Sequence, residues 1–249
     1  MVITTKAAQL KREGKKVIGL SAGEPDFDTP DHIKKAAINA IEKGFTKYTN
    51  VEGVPELRQA IVDKFKRDNN LDYKINDVIV SSGGKQILYN ALMSSINPND
   101  EVIIPSPYWV SYPDMTLLAG GKPVVINCTS ETGFKLTADA LSKVITENSK
   151  WLILNSPSNP TGACYSKAEL ESIAEVVRKH ENLYVMTDDI YEYIVYDDFN
   201  FFTFAQVAPD LKERTLTVNG VSKSHCMTGW RIGYAVGPSL LIKAMIKIQ

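Results

Sequence analysis

The sequence predicts an α/β fold: a mostly parallel, seven-stranded sheet with helices on both faces. Seven short apolar runs recur along the chain: VIVS, EVIIP, KPVVIN, WLILN, LYVMTD, TLTVN and RIGYAVG. Most are separated by stretches of helical periodicity, and strand–helix alternation of that kind builds a parallel sheet covered on both sides. The runs are also continuously apolar where they are strongest, as expected of strands buried on both faces.

The elements follow in order. MVITTKAAQLKREGKK reads as an amphipathic, basic helix. A transit peptide is the alternative for that segment, which runs on into ordered-looking sequence. Thr29-Pro30 ahead of DHIKKAAINAIEKG is a helix start, with Gly44 as its stop. VIVSSGGKQILYNAL turns from strand to helix through Gly83-Gly84-Lys85, and a helix follows over 85–96. After WLILN comes the turn Asn159-Pro160-Thr161-Gly162, and a further helix covers 167–180. Gly237-Pro238 opens a last amphipathic helix that reaches Gln249 with no C-cap signal. No internal repeat, low-complexity tract or linker interrupts residues 50–237, which read as one large domain.

Composition excludes several functions. The 249 residues are 44% hydrophobic and 23% charged, with a formal net charge of −1. That balance suits a globular core and argues against nucleic acid or an anionic membrane as the main partner. Three scattered cysteines without CxxC spacing read as reduced thiols of a cytoplasmic protein. No His or Cys pair has metal-ligand spacing. No signal peptide or membrane-spanning run is visible.

The chemistry centres on Lys223. RTLTVN leads into Gly220-Val221-Ser222-Lys223, and Arg231 follows eight residues later at the head of RIGYAVG. A lysine fixed at a strand end can form an imine with a carbonyl, and a nearby arginine can clamp a phosphate. Alone, the two are as readily solvated surface charges. Asp188 ends the LYVMTD run, where α/β folds place their ligands, and could hold a pyridine nitrogen protonated; a turn carboxylate is the plainer alternative. Tyr191 follows three residues on. Asn159 lies in a turn after an apolar run. Gly84 and Lys85 start a helix whose N–H groups suit a phosphate, without the GxxxxGK[ST] spacing of a nucleotide loop. Trp109 after EVIIP could stack on a flat ring or pack in the core. His225, two residues from Lys223, is read as packing.

Taken in order, these segments resemble the aspartate aminotransferase family, the class-I, fold-type-I pyridoxal-phosphate enzymes. The motifs are AGEPDFDTP (22–30), TKYTNVEGVPELR (46–58), SSGGKQ (81–86), SPYWVSYPDM (106–115), NSPSNPTG (155–162), DDIYE (188–192) and SKSHCMTGWRIGY (222–234). The match is to the bacterial branch with GGK and MTGWRIGY. Residue by residue, the resemblance implies that Lys223 bonds pyridoxal 5′-phosphate and moves the substrate's proton. Asp188 pairs with the pyridinium, Asn159 and Tyr191 hold the phenolic oxygen, and Trp109 stacks on the ring. Arg231, Ser222 and the Gly84–Lys85 backbone form the phosphate cup, joined by Tyr48 from the neighbouring subunit of a homodimer. Substrate contacts fall to Gly23, Trp109, Asn159 and Lys85, the last toward a side-chain carboxylate.

The implied reaction is transamination between aspartate or glutamate and a 2-oxoacid such as 2-oxoglutarate, with prephenate as a further acceptor. Other pyridoxal-phosphate reactions on the same scaffold, and a cofactor-binding fragment without turnover, are the alternatives. The resemblance divides the chain into 1–49, an N-terminal segment of the small domain and domain junction, and 50–249, the cofactor-binding large domain. It also implies that the small domain is largely missing, with the arginine for the substrate α-carboxylate beyond Gln249. Asn159–Pro160 is a candidate cis bond.

Overall fold

The computed structural model describes residues 2–20 and 22–249. Met1, at the head of the predicted N-terminal helix, lies outside them. The chain begins with α1 (Val2–Arg12) and α2 (Asp31–Glu42), neither of which buries a residue. α1 is the basic helix the sequence predicts, ending at Arg12. The first helix to bury residues is α3 (Pro55–Asn69), whose Pro55 occupies the first turn, where a missing N–H costs nothing.

The seven predicted strands all form: β1 (Val78–Ser82), β2 (Glu101–Ser106), β3 (Lys122–Asn127), β4 (Ser149–Asn155), β5 (Tyr184–Asp188), β6 (Thr215–Gly220) and β7 (Ile232–Val236). They make one sheet in the order β1-β7-β6-β5-β4-β2-β3. Only β7 runs against its neighbours; every pairing that does not involve it is parallel. Between the strands lie α4 (Gly84–Ser95), α5 (Ser111–Leu118), α6 (Ala138–Ser142), α7 (Lys167–Arg178) and α8 (Phe204–Val207), with α9 (Ser239–Ile248) after β7. α7 starts on a capping box: Ser166 Oγ accepts from the Glu169 amide while the Glu169 carboxylate accepts from Ser166 N–H.

Successive strand residues point to opposite faces, so an apolar run fills two cores at once. In β4, Leu152 and Leu154 pack with Ile173, Ala174 and Val177 of α7. Their neighbours Trp151 and Ile153 pack the other way, with Ile87, Leu88 and Ala91 of α4 and Ile242 and Met245 of α9. Each of the Leu, Ile, Val and Met side chains among them contributes on the order of 1.5–3 kcal/mol by leaving water. A third cluster joins Ile61 and Phe65 of α3 to Val78, Tyr234 and Val236.

This topology positions the site. The C-terminal ends of β1, β2, β4, β5 and β6 share one edge of the sheet, where α/β folds carry ligands. Because β7 is reversed, its first residues return to that same edge. There the backbone is crowded: a Cβ on Gly233 would lie 2.2 Å from the amide nitrogen of Gly84. Glycine at 233 therefore lets the start of α4 settle directly onto β7. No described helix is long and apolar enough to cross a membrane.

Candidate active site

At that edge lies a cavity of about 380 Å³. Of the residues singled out from sequence, Gly23, Gly84, Lys85, Trp109, Asn159, Asp188, Tyr191, Ser222, Lys223 and Arg231 all line it. Tyr48 does not: it is 107% exposed and makes no part of the wall in this chain. His225 is also outside the wall, its ring edge-on to Tyr193.

Asp188 is the last residue of β5, in register with Asn155 of β4 and Val218 of β6. It is only 8% exposed. Its Oδ2 accepts from the Tyr112 phenol at 2.7 Å, and its Oδ1 from the Ile190 amide at 3.4 Å. No cation pairs with it among the described residues. Burial holds its carboxyl above the usual range, opposed by Tyr112, the Ile190 N–H and the charge of Lys223. The same burial, reinforced by the Asp188 charge, pushes the Tyr112 phenol well up, so the phenol keeps its proton and donates it.

Asn155 ties two other parts together. Its Nδ2 donates to the Asp188 carbonyl at 2.7 Å, and its Oδ1 accepts from the Asn159 amide at 2.7 Å. The turn is thereby fixed to the β5 end, and the Asn159–Pro160 bond in it is cis, as the sequence suggested. Beside it the Tyr191 phenol is held above its ordinary range by burial and by Asp188, with Asn159 opposing. Trp109 meets Tyr112 edge to face, ring centroids 5.5 Å apart, and Lys85 Nζ sits 4.8 Å from the Trp109 ring centre.

Lys223 follows β6, and its Nζ donates to the carbonyl of Gly23. Partial burial lowers its pKa from the ordinary lysine value; Glu24 opposes, the like charge of Arg231 reinforces, and Asp188 opposes. Arg231 stands at the head of β7 with a φ of 55°, its Nη1 donating to the Thr228 carbonyl at 2.8 Å. Its guanidinium lies over Gly83, where an added Cβ would be 2.1 Å from Nη2 at a φ of 87°. Glycine at 83 is thus required twice, for its backbone and for the space above it. Next to this guanidinium are the first N–H groups of α4, which have no partner within the helix.

The cavity therefore offers three kinds of chemistry. One end presents an arginine, a helix N-terminus and Ser222, suited to an anion. The floor presents a buried carboxylate lacking a cation. Beside it stands a partly desolvated amine. Four polar wall residues were not assigned from sequence: Glu24, Tyr112, Asn155 and Thr228. Tyr112 lies inside a quoted motif, three residues after Trp109, and that helical spacing was its only local signal.

Comparison with known proteins finds relatives along the whole of this chain. The chain is 62% identical over 249 residues to a protein of Rickettsia felis named probable aspartate/prephenate aminotransferase, covering 100% of this chain and 61% of that one. It is 60% identical to the aspartate/prephenate aminotransferase of Cereibacter sphaeroides, over 100% of this chain and 62% of that one. The crystal structure of the aspartate aminotransferase from Rhizobium meliloti superposes with a TM-score of 0.94 at 56% identity, over 99% of this chain and 62% of that one. The Thermus thermophilus aspartate aminotransferase with maleate gives 0.94 at 46% identity, over 99% and 63%. The chain thus spans about three-fifths of the length of these relatives. A family model described as aminotransferase class I and II matches residues 15–249, and the chain belongs to that family.

Proposed function

We propose that this chain carries the cofactor site of a pyridoxal-phosphate-dependent aspartate aminotransferase, which passes an amino group between aspartate or glutamate and a 2-oxoacid. Prephenate is a further acceptor in this reading, supported by relatives named aspartate/prephenate aminotransferase. The observation that carries the proposal is the convergence of Lys223, Asp188 and Arg231 on one cavity.

The residues fit the cofactor. Asp188 is a buried carboxylate without a cationic partner among the described residues, the setting a protonated ring nitrogen would complete. Gly83 leaves the space that the Arg231 guanidinium fills, beside the α4 amides, which suits a phosphate. When bound, pyridoxal phosphate supplies an electron sink for the substrate's α-carbon. The chain's own residues do the rest. Arg231, Ser222 and the Gly84 and Lys85 amides hold the phosphate. Trp109 orients the ring, and Asn159 and Tyr191 donate to its phenolic oxygen. Asp188 holds a proton on the ring nitrogen. Lys223 would supply the amine that anchors the aldehyde and, once released, would take the α-proton; partial burial lowers its pKa from the ordinary lysine value, the direction a general base needs. Gly23, Trp109, Asn159 and Lys85 contact the substrate, Lys85 facing a side-chain carboxylate.

We further propose a cytoplasmic homodimer in which Tyr48 reaches the phosphate of the neighbouring site. Residues 1–49 are assigned to the small domain and its junction, and 50–249 to the large domain. The absence of buried residues in α1 and α2 supports that division.

The test is a visible absorbance spectrum of the purified chain with pyridoxal phosphate, before and after aspartate. The expected result is a band trapped by borohydride on Lys223 that bleaches with aspartate. A Lys223→Ala variant with undiminished transamination would overturn the reading.

A further inference from the structure

The turn that carries Arg231 is held from more than 200 residues away. Thr228–Trp230 form one 3-10 turn, and Arg231 follows it in the left-handed region, a conformation unfavourable for a non-glycine residue. Both ends of the turn are pinned by the N-terminal segment. Thr228 Oγ1 donates to Glu24 Oε1 at 2.9 Å. Trp230 Nε1 donates to Thr29 Oγ1 at 3.0 Å, and that hydroxyl donates to the Cys226 carbonyl at 2.6 Å. Between these pins, the Thr228 carbonyl accepts from Arg231 Nη1 at 2.8 Å. The direction of the guanidinium therefore depends on where Thr228 is held, and Thr228 is held by Glu24.

We propose that Glu24 is a positioning residue for the phosphate grip, acting through Thr228 on Arg231; this rests on the cofactor reading above. The carboxylate has no need to touch the phosphate, and its own charge would repel it. Its effect on the phosphate grip is mechanical: it fixes the turn that aims the arginine. Thr29 is the second brace of the same turn. Segment 22–29 is in this way part of the phosphate site, although among its residues only Ala22, Gly23 and Glu24 line the cavity.

Two ligands separate this role from general support of the fold. Pyridoxal phosphate and pyridoxal share the ring and aldehyde, but only the first presents a group to Arg231. Absorbance titration of the full chain with each is the measurement. Thr228→Val removes the bond to Glu24 at nearly constant volume. It should raise the Kd for pyridoxal phosphate about tenfold, in keeping with loss of one hydrogen bond to a charged group. The Kd for pyridoxal should hold, and Thr228→Ser should restore the wild-type value. In an Arg231→Gln background, Thr228→Val should add nothing. Equal weakening toward both ligands, no weakening at all, or a full additional loss without Arg231 would each overturn the proposal. A wild-type chain that binds pyridoxal phosphate no tighter than pyridoxal would overturn the cofactor reading itself. That outcome is visible before any variant is made.

Discussion

The Tyr112 phenol on α5 donates to Oδ2 of Asp188 at the end of β5, across 76 residues of sequence and 2.7 Å of space. Both groups are buried. The bond is the strongest contact the carboxylate has, since its other oxygen meets only the Ile190 amide at 3.4 Å. Tyr112→Phe keeps the ring and removes the donor. Leaving a buried carboxylate short of a partner costs about 1–3 kcal/mol. Thermal unfolding of the cofactor-free chain should register that loss as a lower melting temperature at pH 7. An unchanged melting temperature would mean that the bond contributes nothing to the fold.

Asp188 itself should be a liability to the empty chain. Burial raises its pKa in the folded state above the unfolded value of about 3.9. The folded chain therefore binds this proton more tightly than the unfolded one. The resulting stability is fully present below the unfolded pKa and is lost as pH rises through the folded pKa. Asp188→Asn removes the charge, so the cofactor-free variant should melt higher than wild type at pH 7–8. The gap should close as pH falls toward 4. A gap that widened in acid would contradict the assigned direction. The same variant should bind pyridoxal phosphate more weakly, because the partner of the ring nitrogen is gone.

The strands were legible because a two-sided sheet imposes continuous apolar runs: WLILN must fill two cores, and its alternation between Leu152 and Trp151 is hidden until the faces are seen. Lys223, Asp188 and Arg231 were legible because each sits at a strand end, where local sequence announces the element. Glu24 and Thr228 had no such announcement. Their bond joins residues 204 apart in the chain, and no periodicity encodes it. Asn155 was hidden for a related reason. Its partnership with Asp188 follows from the β4–β5 register, which a strand pattern alone does not set.

The amine of Lys223 stands between opposite influences that mutation can separate. The Arg231 charge lowers its pKa further, and Glu24 raises it. Arg231→Gln should therefore move the pH at which the amine becomes reactive upward. Glu24→Gln should move it downward. Pyridoxal, which has no phosphate to engage Arg231, is the suitable probe, with the rate of borohydride trapping followed against pH. Shifts of the same sign in the two variants would refute this account of the amine's surroundings.

Tyr48 supplies the most direct test of a shared site. Its side chain is fully exposed and lines no part of the cavity of its own chain. A surface hydroxyl of that kind contributes little to folding, so Tyr48→Phe should leave stability within about 0.5 kcal/mol of wild type. Its effect on pyridoxal phosphate should depend on association. In dilute solution, where chains are separate, variant and wild type should bind the cofactor equally. At concentrations where sedimentation shows paired chains, wild type should bind more tightly, because the phenol of one subunit adds a donor to the phosphate of the other. A difference that persists at full dilution would place Tyr48 in its own chain's site. Equal affinity in fully paired chains would remove Tyr48 from the phosphate site altogether.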